Sequence, residues 1–173
     1  RNKLFDCGII KQKSHSVKVI SVGNIRVGGT GKTPFVEYLI KALSPYFNLA
    51  ILSRGYGRKT KGFIHLQPHH SASEVGDEPL LIYKRNSNTL VAVCEERNKG
   101  VENILKDSPQ TNLIILDDAY QHRYINRDIN ILLTEYNRPF FKDRVIPYGR
   151  LREYRKGYKR ASYIVVTKCP PLN

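Results

Sequence analysis

The chain has 173 residues, enough for one domain with a substantial core, and it is strongly basic. Its 29 Lys and Arg residues against 15 Asp and Glu residues give a formal net charge of +14, which indicates an anionic partner: nucleotide phosphate, nucleic acid or an anionic membrane surface. The three cysteines lie far apart and have no CxxC spacing, which argues against a disulfide framework and a zinc site.

The first predicted element is a short amphipathic helix over residues 1–13, followed by a polar linker that ends at residue 16. Leu4, Phe5, Ile9 and Ile10 alternate there with basic residues. Such a helix can lie on a membrane surface or pack on the domain that follows, and the pattern leaves both open. The main domain is expected to span residues 17–173.

Residues 18–43 predict a strand, a glycine-rich turn and a helix. Backbone N–H groups in such a turn converge on an anion, and the dipole of the new helix favours negative charge at its start. Lys32 can reach the β- and γ-phosphates and Thr33 can ligate Mg²⁺, so GGTGKT is typical of a Walker A loop. The usual pattern has glycine where Arg26 stands. The predicted nucleotide-binding residues are Arg26, Val27, Gly28, Gly29, Thr30, Gly31, Lys32 and Thr33.

Two further stretches predict functional groups near strand or helix ends. A strand over residues 48–53 runs into Arg54 and Tyr56, and a charged, glycine-rich strand end is a natural ligand site. After a short strand at residues 62–67, Asp77 and Glu78 open a helix. These acids either complement the helix dipole or accept a proton from an attacking hydroxyl, and the sequence leaves both open.

The remaining strands are predicted at residues 89–94, 112–116, 128–135 and 161–167. A helix after the first of them places Arg97 near its carboxyl end, and the second ends in Asp117 and Asp118, as a Walker B strand that carries a carboxylate to Mg²⁺ would. About five core strands with connecting helices predict an α/β fold, a P-loop NTPase-like, doubly wound, mainly parallel sheet flanked by helices. One edge should gather Lys32, Arg54, Asp77, Arg97, Asp117 and Asp118.

Six motifs stand in order along nearly the whole chain: VGNIRVGGTGKTP, SRGYG, VGDEP, CEERNKG, LDDAYQH and PYGRLRE. In them the chain resembles the tetraacyldisaccharide 4′-kinases, which phosphorylate the lipid A precursor in Gram-negative bacteria. The resemblance implies ATP and Mg²⁺ as cofactors and an acylated disaccharide 1-phosphate as acceptor. It also implies a place at the cytoplasmic face of the inner membrane, in contact with anionic lipid, with no nucleic acid partner.

The resemblance also implies residue roles. Lys32 and Thr33 would hold ATP and Mg²⁺, and Asp77 would take the proton of the sugar 4′-hydroxyl. Asp117 and Asp118 would bind the metal and organise the phosphate, with Asp118 catalytic alongside Lys32 and Asp77. The substrate-binding or supporting residues would be Arg54, Tyr56, Glu78, Arg97, Gln121, His122, Arg152 and Glu153.

Members of this family continue into a second α/β domain, which supplies a histidine paired with the GDEP acid, and they carry an N-terminal anchor. The sequence is therefore expected to be a fragment that binds nucleotide with little or no turnover. An alternative is a switch ATPase of the partition or signal-recognition type, although such switches often carry Lys where Val27 stands. A nucleic-acid-stimulated ATPase would suit the charge, but no nucleic-acid motif supports it.

Overall fold

The computed structural model describes residues 2–171, apart from the side chain of Lys3. A seven-stranded sheet forms the centre of this part of the chain. The strand order is β3-β4-β2-β5-β1-β6-β7, and all neighbours are parallel except β3 and β4. The strands are β1 (Lys18–Gly23), β2 (Leu49–Ser53), β3 (Ile64–His65), β4 (Leu90–Val93), β5 (Leu113–Leu116), β6 (Ile129–Glu135) and β7 (Tyr163–Thr167). The predicted α/β, mainly parallel architecture is confirmed.

Helices cover both faces of this sheet, as a doubly wound fold requires. Val36, Ile40 and Ile82 pack on one face, and Val101 and Ile104 pack on the other. β2 and β5 are buried along their whole length, which explains their unbroken apolar runs. The helices that follow the first are α2 (Lys32–Leu43), α3 (Ala72–Val75), α4 (Asp77–Arg85) and α5 (Arg97–Asp107), with 3₁₀ helices at Phe140–Lys142 and Arg155–Arg160.

The N-terminal helix is shorter than predicted: α1 covers Asn2–Asp6, and residues 7–13 are not helical. Gly8 has φ +72°, its N–H donates to the carbonyl of Phe5, and the N–H of Ile9 donates to that of Leu4. This pair of bonds is a Schellman cap, which ends a helix at a left-handed glycine. Residue 1, at which the predicted helix begins, lies outside the described residues.

α1 packs on the domain through its aromatic side chain. The ring of Phe5 meets that of Tyr124 edge-on at 5.0 Å, and the guanidinium of Arg123 lies 4.9 Å from the Phe5 centroid. Arg123 also pairs with Asp6 at 2.7 Å. Packing on the domain, one of the two predicted placements, is therefore present, while Leu4 and Ile9 stay exposed. Between residues 2 and 171, no helix has the length and apolar character to cross a membrane.

Candidate active site

A cavity of about 580 Å³ lies where β1, β2 and β5 end and α2 and α4 begin. Its walls bring together twelve predicted site residues from five separate sequence motifs, because the carboxyl ends of parallel strands share one edge of the sheet. Ser53 and Pro79 complete the lining. The predicted residues in the walls are Val27, Gly28, Gly29, Lys32, Arg54, Tyr56, Asp77, Glu78, Asp118, Gln121, His122 and Arg152.

The glycine-rich loop between β1 and α2 is held by hydrogen bonds from outside the cavity. Asn24 donates to the Thr30 hydroxyl at 2.6 Å, and the Thr167 hydroxyl donates to the Thr30 carbonyl at 2.9 Å. Lys168 donates to the carbonyl of Gly29 at 2.6 Å. None of the three donors was predicted from the sequence, although Thr167 ends a predicted strand and Lys168 follows it, which is the signal that could have identified these two.

The backbone conformation of the loop depends on two glycines. Gly28 has φ +120°, and Gly31 has φ +77° and immediately precedes α2. Both angles fall in the region that side-chain-bearing residues rarely adopt, so glycine is required at these positions. Lys32 and Thr33 then form the first turn of α2. Thr33 is half-buried and is not part of the cavity lining.

Arg26 occupies a different place from the one predicted. Its Nη1 lies 2.9 Å from Glu135, its Nε lies 2.9 Å from Asp143, and its side chain is not part of the cavity lining. The Arg26 backbone pairs with Leu151. With its guanidinium committed to two carboxylates, the side chain of Arg26 fastens the loop to the segment after β6 rather than facing the cavity.

Two adjacent carboxylates follow β5 beside the Walker lysine. Asp117 is fully buried, and its Oδ2 accepts a hydrogen bond from Ser53 at 3.1 Å. Burial above all, and then the charges of Asp118 and Glu78, raise the pKa of Asp117 to about 6. Asp118, with φ +46°, has Oδ1 at 3.7 Å from the Lys32 ammonium and Oδ2 at 3.4 Å from Arg152.

Both carboxylates keep an oxygen without a protein donor. Within the described part of the chain, Oδ1 of Asp117 and Oδ1 of Asp118 are buried and accept no hydrogen bond. Because a buried carboxylate oxygen without a partner is unfavourable, this pair is suited to a cation or to a protonated ligand group.

Two of the predicted supporting residues lie behind the cavity wall. Arg97 is buried, donates to the carbonyl of Cys94 at 2.7 Å, and has its Nη2 3.5 Å from the carbonyl of Asp117. Burial lowers the pKa of Arg97 to about 10. Glu153 pairs with Arg160 and is not part of the cavity lining. Neither residue lines the cavity of about 580 Å³.

Asp77 and Glu78 form the first turn of α4 and line the cavity together with the glycine-rich loop. Both predicted roles of these acids, complementing the helix dipole and accepting a proton, fit this position, because the two carboxylates lie at the start of a helix and in the cavity wall. A lysine, paired acids and a separate carboxylate around one cavity can bind a polyphosphate and receive a proton.

Known proteins are similar to this chain along nearly its whole length. A family model for tetraacyldisaccharide-1-P 4′-kinase matches residues 1–172. The tetraacyldisaccharide 4′-kinase of Cytophaga hutchinsonii is 52% identical over 171 residues, which cover 98% of this chain and 49% of that protein. The tetraacyldisaccharide 4′-kinase of Bacteroides fragilis is 52% identical over 172 residues, which cover 99% of this chain and 46% of that protein.

A solved structure shares the fold. The crystal structure of LpxK from Aquifex aeolicus in complex with ATP has a TM-score of 0.90 and 44% sequence identity, over 97% of this chain and 53% of that chain. The present chain thus spans about half the length of the relatives it matches. Since the family model takes in every motif around the cavity, from the glycine-rich loop to Arg152, the chain belongs to the tetraacyldisaccharide-1-P 4′-kinase family.

Proposed function

We propose that the natural protein containing this chain transfers the γ-phosphate of ATP to the 4′-hydroxyl of a tetraacyldisaccharide 1-phosphate. The observation that carries the proposal is the cavity lined by Lys32, Asp118 and Asp77 from three separate motifs, with Asp117 buried next to Asp118. Phosphoryl transfer requires charge neutralisation and alignment more than covalent assistance, and these groups supply both. Family membership supports the kinase over the switch ATPase.

ATP is the proposed donor, with its phosphates on the loop of residues 26–33. Lys32 is only 8% exposed, so little water screens its ammonium from the phosphates. The loop is already fixed by Asn24, Thr167 and Lys168, which reduces the ordering that binding requires. The Aquifex aeolicus relative was crystallised with ATP, which supports the same donor here.

Mg²⁺ is the proposed metal, held by Asp117, Asp118 and the hydroxyl of Thr33. Oδ1 of Asp117 and Oδ1 of Asp118, which accept no hydrogen bond among the described residues, fit a divalent cation, as does the raised pKa of Asp117. Within residues 2–171, no cluster of three or more His, Cys, Asp or Glu side chains could hold a metal. Mg²⁺ suits such a site, since it commonly takes one or two carboxylates with phosphate oxygens and water. When bound, it would neutralise charge on the transferred phosphoryl group.

Asp77 is the proposed base, because it lines the same cavity as Lys32. A sugar hydroxyl placed between them could attack the phosphorus while Asp77 takes its proton. The surrounding polar side chains are proposed to orient the acceptor, and they are Arg54, Tyr56, Glu78, Gln121, His122 and Arg152. Arg97 and Glu153, behind the wall, are proposed to support this arrangement without touching the substrate.

An anionic membrane surface at the cytoplasmic face of the inner membrane is the proposed location. The support is a basic and aromatic groove of about 1220 Å³, in which Tyr148 is 85% exposed and Tyr154 is 79% exposed. Among the described residues, no carboxylate pairs with Lys156 or Lys159 in its lining. Exposed aromatic rings with unpaired cations favour the interface of an anionic bilayer.

The transfer reaction is tested with labelled ATP and tetraacyldisaccharide 1-phosphate, using the natural protein that contains this chain. Label is expected on the 4′-oxygen of the sugar. Lys32→Ala should lower the rate by about three powers of ten or more, because the charge on the phosphates loses its closest cation. Lys41→Ala, an exposed change at the far end of α2, is the control. Unlabelled lipid, or full transfer by the Lys32 variant, would contradict the proposal.

The base is tested with Asp77→Asn, which keeps the shape of the side chain and removes its capacity to accept a proton. We expect kcat to fall by about 10²–10⁴ and the pH–rate profile to change shape, with the Kd for ATP altered by less than about twofold. The exposed change Asp107→Asn serves as the control. An unaltered kcat and pH–rate profile would remove Asp77 from the reaction.

The pKa of Asp117 predicts a dependence of stability on pH. The unfolded chain releases this proton near pH 3.8 and the folded chain near pH 6, so ionisation disfavours the folded state. The free-energy contribution of Asp117 to folding should therefore decline as the pH rises from about 4 to 6. Without divalent cations, Asp117→Asn should gain about 3 kcal/mol relative to the wild type between pH 4 and 7, measured by denaturant unfolding. Asp107→Asn should show no such trend, and a flat difference for Asp117→Asn would refute the buried ionisation.

Membrane contact is tested by sedimenting the chain with vesicles. We expect binding to vesicles that contain anionic lipid, little binding to neutral vesicles, and weakening as salt is added. Replacing Lys156 and Lys159 together by Glu should abolish binding. The matched control replaces Lys106, on the exposed end of α5, by Glu. Equal binding to neutral and anionic vesicles would dismiss the electrostatic contact.

A further inference from the structure

Gln121 lies in the cavity wall with its side-chain amide in a fixed orientation. Its Nε2 donates to the carbonyl of Asn24 at 2.7 Å and to Oε1 of Glu153 at 3.3 Å. A carbonyl and a carboxylate can only accept hydrogen bonds, so the nitrogen end of Gln121 must face them. Within residues 2–171, the side chain of Lys3 apart, no donor reaches Oε1 of Gln121, although the residue lines the cavity.

Glu153 is itself fixed, by a residue that no motif had indicated. Nη2 of Arg160 lies 2.8 Å from Oε1 and 2.7 Å from Oε2 of Glu153, and the side chain of Glu153 is 8% exposed. The guanidinium of Arg160 lies 4.9 Å from the ring centroid of Tyr120. A Cβ on Gly157 would lie 2.6 Å from Oε2 of Glu153, so the chain closes tightly around this carboxylate.

The same hydrogen bonds reach the glycine-rich loop. Asn24, whose carbonyl accepts from Gln121, donates through its side chain to the Thr30 hydroxyl and, at 3.4 Å, to the carbonyl of Gly28. A continuous path of polar contacts therefore runs from Arg160 through Glu153 and Gln121 to the loop, and the amide oxygen of Gln121, a residue of the cavity wall, is left to accept a hydrogen bond.

We propose that Glu153, held by Arg160, is a positioning residue that turns Oε1 of Gln121 into the cavity to accept a hydrogen bond from a hydroxyl of the sugar acceptor. This rests on the proposed kinase function. A side-chain amide that rotated freely would present its NH₂ group half of the time and would repel a hydroxyl proton. The paired charges of Glu153 and Arg160 prevent this rotation without touching the substrate.

Glu153→Gln tests the orientation because it changes one acceptor into a donor at nearly constant shape. Oε1 of Glu153 accepts from both Gln121 and Arg160, and Oε2 accepts from Arg160, so in either orientation the new NH₂ group faces an N–H donor of this network. We expect kcat/KM for the acceptor to fall by about tenfold to a hundredfold, with the Kd for ATP changed by less than about twofold. Glu102→Gln, an exposed residue paired with Lys13, is the control.

A double-mutant cycle separates positioning from mere stabilisation. Gln121→Ala should lose the same factor in kcat/KM, and combining it with Glu153→Gln should cause no further loss, because Glu153 acts through Gln121. Losses that multiply, or unchanged kcat/KM in Glu153→Gln, would overturn the proposal. If Glu153→Gln does not fold, Arg160→Lys takes its place, with a smaller loss that also vanishes in the Gln121→Ala background.

The orientation has a readout that does not depend on transfer. In ¹⁵N spectra of the natural protein, the side-chain NH₂ of Gln121 should exchange slowly with solvent, and it should exchange faster in Glu153→Gln and not in Glu102→Gln. Fast exchange in the wild type would overturn the positioning role even if transfer is observed. Slow exchange with no transfer to the lipid would instead count against the proposed kinase function alone.

Discussion

Two adjacent carboxylates at the end of β5, one of them fully buried, are the constraint on which the site depends. Asp117 keeps one oxygen without a donor, and Asp118 adopts a left-handed backbone conformation beside it. Both features oppose folding, and they persist because β5 is buried between β1 and β2. The Lys32 ammonium at 3.7 Å offsets only part of this charge. Together with Arg152, which lies 3.4 Å from Asp118, these groups place carboxylates and cations side by side, as the binding of a metal ion together with a polyphosphate would require.

The rigidity of the glycine-rich loop comes from strands that do not belong to the motif. Lys168, just after β7, donates to Gly29 and also pairs with Glu135 at the end of β6. Glu135 in turn pairs with Arg26. The departure from the usual Walker pattern at Arg26 is thereby explained, since the arginine replaces the flexibility of glycine with an ion pair that fixes the loop to the sheet.

The positive charge of the chain serves at least two purposes. Near the glycine-rich loop, Arg26 and Lys168 are neutralised by carboxylates and stabilise the fold. In the basic and aromatic groove, Lys156 and Lys159 project without acidic partners among the described residues, so their field extends into solvent. Net charge alone could not separate these purposes, because paired and unpaired cations contribute equally to it.

The sequence by itself determined the α/β class, the Walker loop, the paired acids after β5 and the family resemblance. These features depend on local patterns: unbroken apolar runs mark strands buried on both faces, and glycine with Lys32 and Thr33 marks the phosphate turn. The early end of α1 is also determined locally, by Gly8, but the apolar residues after Gly8 led to the prediction of a longer helix. Tertiary structure alone decided which polar groups face the cavity. The guanidinium of Arg26 does not face the cavity, because Glu135 and Asp143 bind it. Glu153, predicted as a substrate-binding or supporting residue, pairs with Arg160 outside the cavity lining. Arg26 and Glu135 are 109 positions apart, and only the order β1-β6-β7 brings the ends of their strands together.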